Sequence, residues 1–243
     1  MLPHNKRQLI FKWLFQRAFI KANKQNIKEL LEFLPERNGV FLDIGANFGI
    51  FSFWVAFKFR KHGGVIHLFE PQDELNWVYI FLTKIFKEVE FRVHNIALSD
   101  HEGELLLQRQ KVGDGSATLE MDRQDPENLK SGKIVPIKTL DLFCDTQELS
   151  RIDAIKIDVE GHEFSLLKGA ELTLITYKPT VLLELTPSST LCELAIGFFQ
   201  DMGYEGFVLL NGVKFPVSEI NIVPHPKFGL MGHRDVLFIH KEA

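Results

Sequence analysis

Cysteine is nearly absent. Cys144 and Cys192 are the only two in 243 residues, which excludes a disulfide framework and a cysteine metal site and suits a reducing compartment. No apolar run approaches the roughly 20 residues that span a bilayer, and no secretory signal is visible. A soluble, cytoplasmic protein is expected. Positive charge is scarce over most of the chain. The net charge is −4, and seven cations with no acid fall in residues 1–28, which leaves 21 cations against 32 acids, or −11, on residues 29–243. Such an acidic body excludes nucleic acid as principal partner, because phosphate binding needs a basic footprint. Internal repeats, heptads and low-complexity segments are also missing. The glycine-rich turn near residue 45 is neither the dinucleotide fingerprint G-x-G-x-x-G nor the phosphate loop G-x-x-x-x-G-K-[ST], which disfavours a nicotinamide-dependent oxidoreductase.

What is present starts with hydrophobic residues at 45%, aromatics at 12% and a length of 243, enough for one large α/β domain with its own core. The stretch Val40-Phe41-Leu42-Asp43-Ile44-Gly45-Ala46-Asn47-Phe48-Gly49 organises the rest. It reads as a buried parallel strand, a tight glycine turn and a helix start. The helix would aim free N–H groups over the turn. The carboxylate of Asp43 would repel a pyrophosphate and welcome an ammonium group. Residues 50–59 are apolar nearly all round, as in a buried helix. A second strand, Val65-Ile66-His67-Leu68-Phe69, ends in Glu70-Pro71. An acid at the second strand tip of a nucleotide-binding sheet commonly takes ribose hydroxyls.

Further on, a helix over 73–86 has Asp73 as its expected N-cap. A third strand (89–93) precedes Asn95-Ile96-Ala97-Leu98-Ser99-Asp100, whose small residues suit the border of an adenine ring. An extra strand is expected over 103–108, a flexible loop at 113–117, a polar segment at 121–133, and a short edge strand at 135–141. The next informative stretch is Ile155-Lys156-Ile157-Asp158-Val159-Glu160-Gly161-His162-Glu163. Alternate positions of an extended strand share a face, so Lys156, Asp158 and Glu160 should project together. His162 adds a group that titrates near neutrality. One helix over 163–174, a fifth strand ending near Glu184, a helix over 189–202 and a closing strand pair complete the alternation. A long connector at 211–235 contains His225 and His233. This order predicts a doubly wound sheet with its ligand over the carboxyl ends of the strands, where Asp43, Glu70, Asp158 and Glu184 all lie. The first 38 residues form a helical extension packed on the domain of residues 39–243. Their basic, aromatic character offers an alternative, weak contact with an anionic membrane surface.

FLDIGANFG (41–49), FEP (69–71), ALSD (97–100), PIKTLD (136–141), IKIDVEGHE (155–163) and LLKGA (166–170) together resemble the FkbM family of S-adenosylmethionine (SAM)-dependent methyltransferases. Asp73 departs from the proline usual in that family. The resemblance implies a class I methyltransferase (Rossmann-like) fold of about seven strands, the last antiparallel, and methyl transfer from SAM to a hydroxyl of a sugar, glycan or related small molecule. It implies that Asp43, Gly45, Asn47 and Gly49 hold the methionine portion, Glu70 the ribose and Ala97 the adenine border, with Asp158 facing the transfer site. An aliphatic hydroxyl needs help to lose its proton, and Asp158, Glu160 and His162 are the candidate bases. A divalent ion on Asp158, Glu160 or Glu184 is an alternative route, since hard oxygen ligands suit magnesium; no metal is assigned. A methyltransferase fold that binds without catalysing is the competing reading.

Overall fold

The structure is a computed structural model that describes residues 24–109, 117, 119, 132–210, 213–223 and 233–242. The basic segment before residue 24 and the polar segment at 121–131 lie outside the described residues, as does most of the flexible loop at 113–117. So does His225 of the connector.

Strand–helix alternation builds an eight-stranded sheet. Its strands are β1 (Gly39–Ile44), β2 (Gly64–Phe69), β3 (Val89–His94), β7 (Ala154–Ile157), β8 (Thr180–Leu185), β9 (Tyr204–Leu210), β10 (Val213–Pro216) and β11 (Arg234–His240), in the order β10-β9-β11-β8-β7-β1-β2-β3. β3, β2, β1, β7 and β8 run parallel, while β11 slots antiparallel between β8 and β9. The expected antiparallel last strand is there. The connector contributes β10, an eighth strand the sequence reading did not foresee. Beside this sheet lies a three-stranded one in the order β4-β6-β5, made of β4 (Ala97–Leu98), β5 (Gly103–Leu107) and β6 (Lys133–Lys138). The strand expected as an edge at 135–141 is therefore the middle of a separate sheet.

Both faces of the large sheet are covered, as parallel sheets require. On one face α1 (Lys24–Glu32), α2 (Ile50–Phe59) and α3 (Asn76–Ile85) pack on Phe41, Ile66, Leu68, Ala154, Leu182 and Leu237. On the other, α4 (Leu140–Thr146), α5 (Glu163–Lys168), α6 (Glu171–Tyr177) and α7 (Thr190–Asp201) pack on Leu42, Ile44, Ile155, Ile157, Val181, Leu183 and Phe238. Period-2 alternation along β1, β7 and β8 feeds both layers. α2 buries Phe53 and Phe59, yet Phe57 stands 45% exposed at its outer side. No helix among the described residues is long and apolar enough to cross a membrane.

Three local expectations need correction. Asp73 is not a side-chain cap: it opens a 3-10 turn, Asp73–Leu75, capped at Gln72, and its carboxylate pairs with Lys133. The helix expected over 163–174 is two, α5 and α6, broken at Gly169-Ala170. A Cβ on Gly169 would stand 2.0 Å from the Ser99 carbonyl oxygen, so the chain can pass there only as glycine. The strand expected through Glu160 stops at Ile157, and Glu160 turns into the left-handed region at φ 51.

Candidate active site

The carboxyl ends of β1, β2 and β7 open into a cleft with a cavity volume of about 100 Å³, placed where ligands of doubly wound sheets bind. Its walls include Gly45, Asn47, Glu70, Gln72, Ala97, Leu98, Leu107, Leu119, Asp158 and Glu160. Four of the acids and glycines singled out from the sequence thus meet around one space, drawn from turns that are far apart in the chain.

The glycine turn is fixed from three sides. Gly45 has φ 71, and a Cβ there would lie 1.8 Å from the Asp158 carbonyl oxygen, so only glycine lets β1 and β7 approach at this point. Asn47, also left-handed at φ 44, donates its N–H to Glu70 Oε2 at 2.9 Å, and its carbonyl accepts from the Tyr79 hydroxyl at 2.6 Å. Gly49, at φ 64, precedes α2. Glu70 is 4% exposed; its other oxygen accepts from the Gln72 N–H at 3.0 Å. Burial raises the Glu70 pKa, and the two backbone N–H groups oppose that.

Asp43 does not face the cleft. It is fully buried, and its Oδ2 accepts from the Ser52 N–H at 3.1 Å and from the Ser52 hydroxyl at 2.6 Å, which ties the tip of β1 to the first turn of α2. Its Oδ1 has no hydrogen-bond partner and lies 3.6 Å from Lys156 Nζ. Asp43 and Lys156 are paired in register across β1 and β7 and project to the same face. The Lys156 ammonium donates to the Gly45 carbonyl at 2.7 Å and sits 3.3 Å from Asp158 Oδ2. Burial pulls its pKa down, but Asp158 and Asp43 outweigh burial and the net shift is upward. Lys156 is thus an ion-pair partner of both carboxylates.

Asp158, Glu160 and Glu184 bring carboxylate oxygens within 4.8 Å of one another. β7 and β8 pair Ile157 with Leu183, so Asp158 falls beside Glu184 at the next position. Burial, then the charge of Asp158, pushes the Glu184 pKa up to about 9. At pH 7 Glu184 is therefore protonated and hydrogen-bonded with Asp158. His233 Nδ1 lies 3.8 Å from Glu184 Oε2. This proton-sharing pair was missed in the sequence, where Glu184 read as a strand-tip acid and a candidate ligand for a divalent ion; the partner that shifts it lies next to it only in the folded sheet.

His162 sits apart from that cluster. It is 6% exposed, and its Nε2 lies 2.9 Å from the Ser99 hydroxyl. Its side chain joins the Glu160–Gly161 turn to the segment that follows Ala97 and Leu98, and it does not line the cleft.

A doubly wound sheet with its cleft over the carboxyl edge and an antiparallel strand inserted beside β8 defines the class I methyltransferase fold. The model of the FkbM methyltransferase domain matches residues 43–205. The chain belongs to the FkbM family of methyltransferases. Among solved structures, an FkbM methyltransferase from Methylobacillus flagellatus KT is similar at 13% identity and a TM-score of 0.51, over 93% of this chain and 60% of that one. This chain therefore spans about 60% of that relative's length. An rRNA methylase from Streptococcus thermophilus aligns at 10% identity and a TM-score of 0.48, over 88% of this chain and 93% of that one. An O-methyltransferase family 2 protein from Planctomyces limnophilus DSM 3776, in complex with apigenin, aligns at 11% identity and 0.43, over 98% and 62%. No curated protein matches the chain.

Proposed function

We propose that the protein is a SAM-dependent O-methyltransferase whose acceptor is a hydroxyl of a sugar, glycan or related small molecule. The observation that carries the reading is that Asp158, Glu160 and Glu70 line one cleft together with the apolar Ala97, Leu98, Leu107 and Leu119. The donor set fits the cofactor. Ala97, Leu98, Leu107 and Leu119 offer apolar surface for a purine, and Glu70 has lone pairs left to accept from ribose hydroxyls. The glycine turn offers Asn47 Oδ1, a buried acceptor without a hydrogen-bond partner, to the ammonium of the methionine end. Gly45 and Gly49 shape that turn, and Asp43 acts through it by holding α2 and Lys156 in place.

When bound, SAM supplies a methyl group on a sulfonium that is already a good leaving group. The protein then has two tasks, to align the acceptor oxygen and to take its proton. Asp158 and Glu160 are the carboxylates that line the acceptor end, and either can accept the proton at a side-chain oxygen. Glu184 holds its own proton at neutral pH and orients Asp158. Lys156 balances the charge of Asp43 and Asp158 so that neither carboxylate is stranded. His162 holds Ser99, and through it the Ala97–Leu98 wall, against the Glu160 turn. The binding-only alternative keeps the same cofactor contacts but needs no acid at the acceptor end.

The test is transfer of a labelled methyl group from SAM to a panel of neutral sugars and polyols, with Asp158→Asn and Glu160→Gln alongside wild type. Methyl label on a hydroxyl, reduced about 100-fold or more in one of the two variants, is the expected result for loss of a positioned base. Label found only on nitrogen, or equal transfer by wild type and both variants, would overturn it.

A further inference from the structure

The cleft wall that β5 supplies is held by an ion-pair network of Arg109, Lys133, Asp73 and Glu74. β5 carries Leu107 into the cleft, and two residues later Arg109 turns onto the 3-10 segment that follows Glu70. Its guanidinium forks onto the Glu74 carboxylate, Nη2 to Oε1 at 2.5 Å and Nη1 to Oε2 at 3.1 Å, and Nη1 also donates to Gln72 Oε1 at 3.2 Å. From the other strand of the same hairpin, Lys133 pairs with Asp73 and lies 3.6 Å from Glu74 Oε2. Gln72 is 2% exposed, lines the cleft, and donates its backbone N–H to Glu70 Oε1 at 3.0 Å. An unbroken chain thus runs from Arg109 through Gln72 to the carboxylate at the tip of β2.

The pair differs from an ordinary surface salt bridge in two ways. The Arg109 side chain is only 11% exposed, and the contact is bidentate, the geometry for which an ion pair has measurable worth. The Arg109 hydrogen bond also lowers the Glu74 pKa to about 2, so the contact survives across the working pH range.

We propose that Arg109 is a positioning residue for the nucleoside half of the cleft: its fork onto Glu74 and Gln72 fixes both the β5 wall and the Glu70 carboxylate, and so sets affinity for the ligand without touching it. The inference rests on the reading that the cleft takes SAM and its product. It separates two sets of groups, with Arg109, Glu74 and Gln72 governing binding while Asp158 and Glu160 govern transfer.

Calorimetric titration with S-adenosylhomocysteine and, separately, with methylthioadenosine tests it on wild type, Arg109→Lys, Arg109→Glu, Glu74→Arg and the double charge swap. Arg109→Glu should weaken both ligands about tenfold or more, and by the same factor, because the nucleoside they share is what the wall contacts. Arg109→Lys keeps the charge but loses the fork and should fall between. The double swap should recover most of the loss, which a merely misfolded variant would not do. Wild-type binding matched by Arg109→Glu would overturn the positioning role alone. A loss confined to S-adenosylhomocysteine, or no recovery in the swap, would overturn it as well. Absence of binding by folded wild type would remove the SAM reading and this inference with it.

Discussion

Lys156→Met probes the ion-pair geometry beneath the site. Lys156 is 5% exposed, and its ammonium faces Asp43 Oδ1 at 3.6 Å, Asp158 Oδ2 at 3.3 Å and the Gly45 carbonyl at 2.7 Å. Each charge contact at such distances is worth about 4 kcal/mol at an effective dielectric near 20, much of it offset by the cost of burying the ammonium. Methionine keeps most of the volume, so little cavity cost is added. What remains is a buried Asp43 with one oxygen facing no cation, and removing one partner of a buried pair costs about 3–5 kcal/mol. The lower end, about 3 kcal/mol, is expected because Ser52 still donates two hydrogen bonds to Asp43. The pH dependence has a definite sign. The folded pKa of Lys156 is raised above its ordinary 10.5, so its contribution is complete below about that value and is lost as pH rises through the folded value. Urea unfolding at pH 7 and at stepped alkaline pH measures both. A stability gap below about 1 kcal/mol at pH 7, or one that fails to narrow in alkali, would refute the assignment.

Glu184→Gln should flatten the pH dependence of stability. With a folded pKa of about 9 against an ordinary 4.5, wild type loses stability as pH rises between those values, and the variant should gain on it by pH 9 in unfolding titrations. Gly169→Ala forces a Cβ to within 2.0 Å of the Ser99 carbonyl, and overpacking of this kind should lower stability by about 1–3 kcal/mol in thermal melts. Tyr79→Phe removes the 2.6 Å bond to the Asn47 carbonyl; about 1 kcal/mol of stability should go with it, and hydrogen exchange of the Asn47 amide should speed up.

The strand tips were legible because buried parallel strands read as apolar runs, and an acid at the end of each is conspicuous. Asp43, Glu70 and Asp158 were found that way, and so was the course of β1, β2, β7 and β8. What the sequence hid was pairing between distant segments. Nothing near Gly169 announces that Ser99 will press against it, so two helices read as one. Asp73 has the composition of a cap, but its partner Lys133 is 60 residues away. The three-stranded sheet depends on β6 pairing with both β4 and β5, a register that no local pattern encodes. His162 reads from sequence as a candidate base, and only its neighbour Ser99, 63 residues distant, reveals the strut.

The central claim is that the cleft at the carboxyl ends of β1, β2 and β7 binds the methyl donor. Calorimetric titration of wild type and Glu70→Ala with S-adenosylhomocysteine tests it most directly. The account predicts binding in the micromolar range, about −8 kcal/mol, weakened about tenfold or more when the Glu70 carboxylate is removed. A folded wild-type protein that binds no S-adenosylhomocysteine, or a Glu70→Ala variant that binds it as well as wild type, would contradict the account.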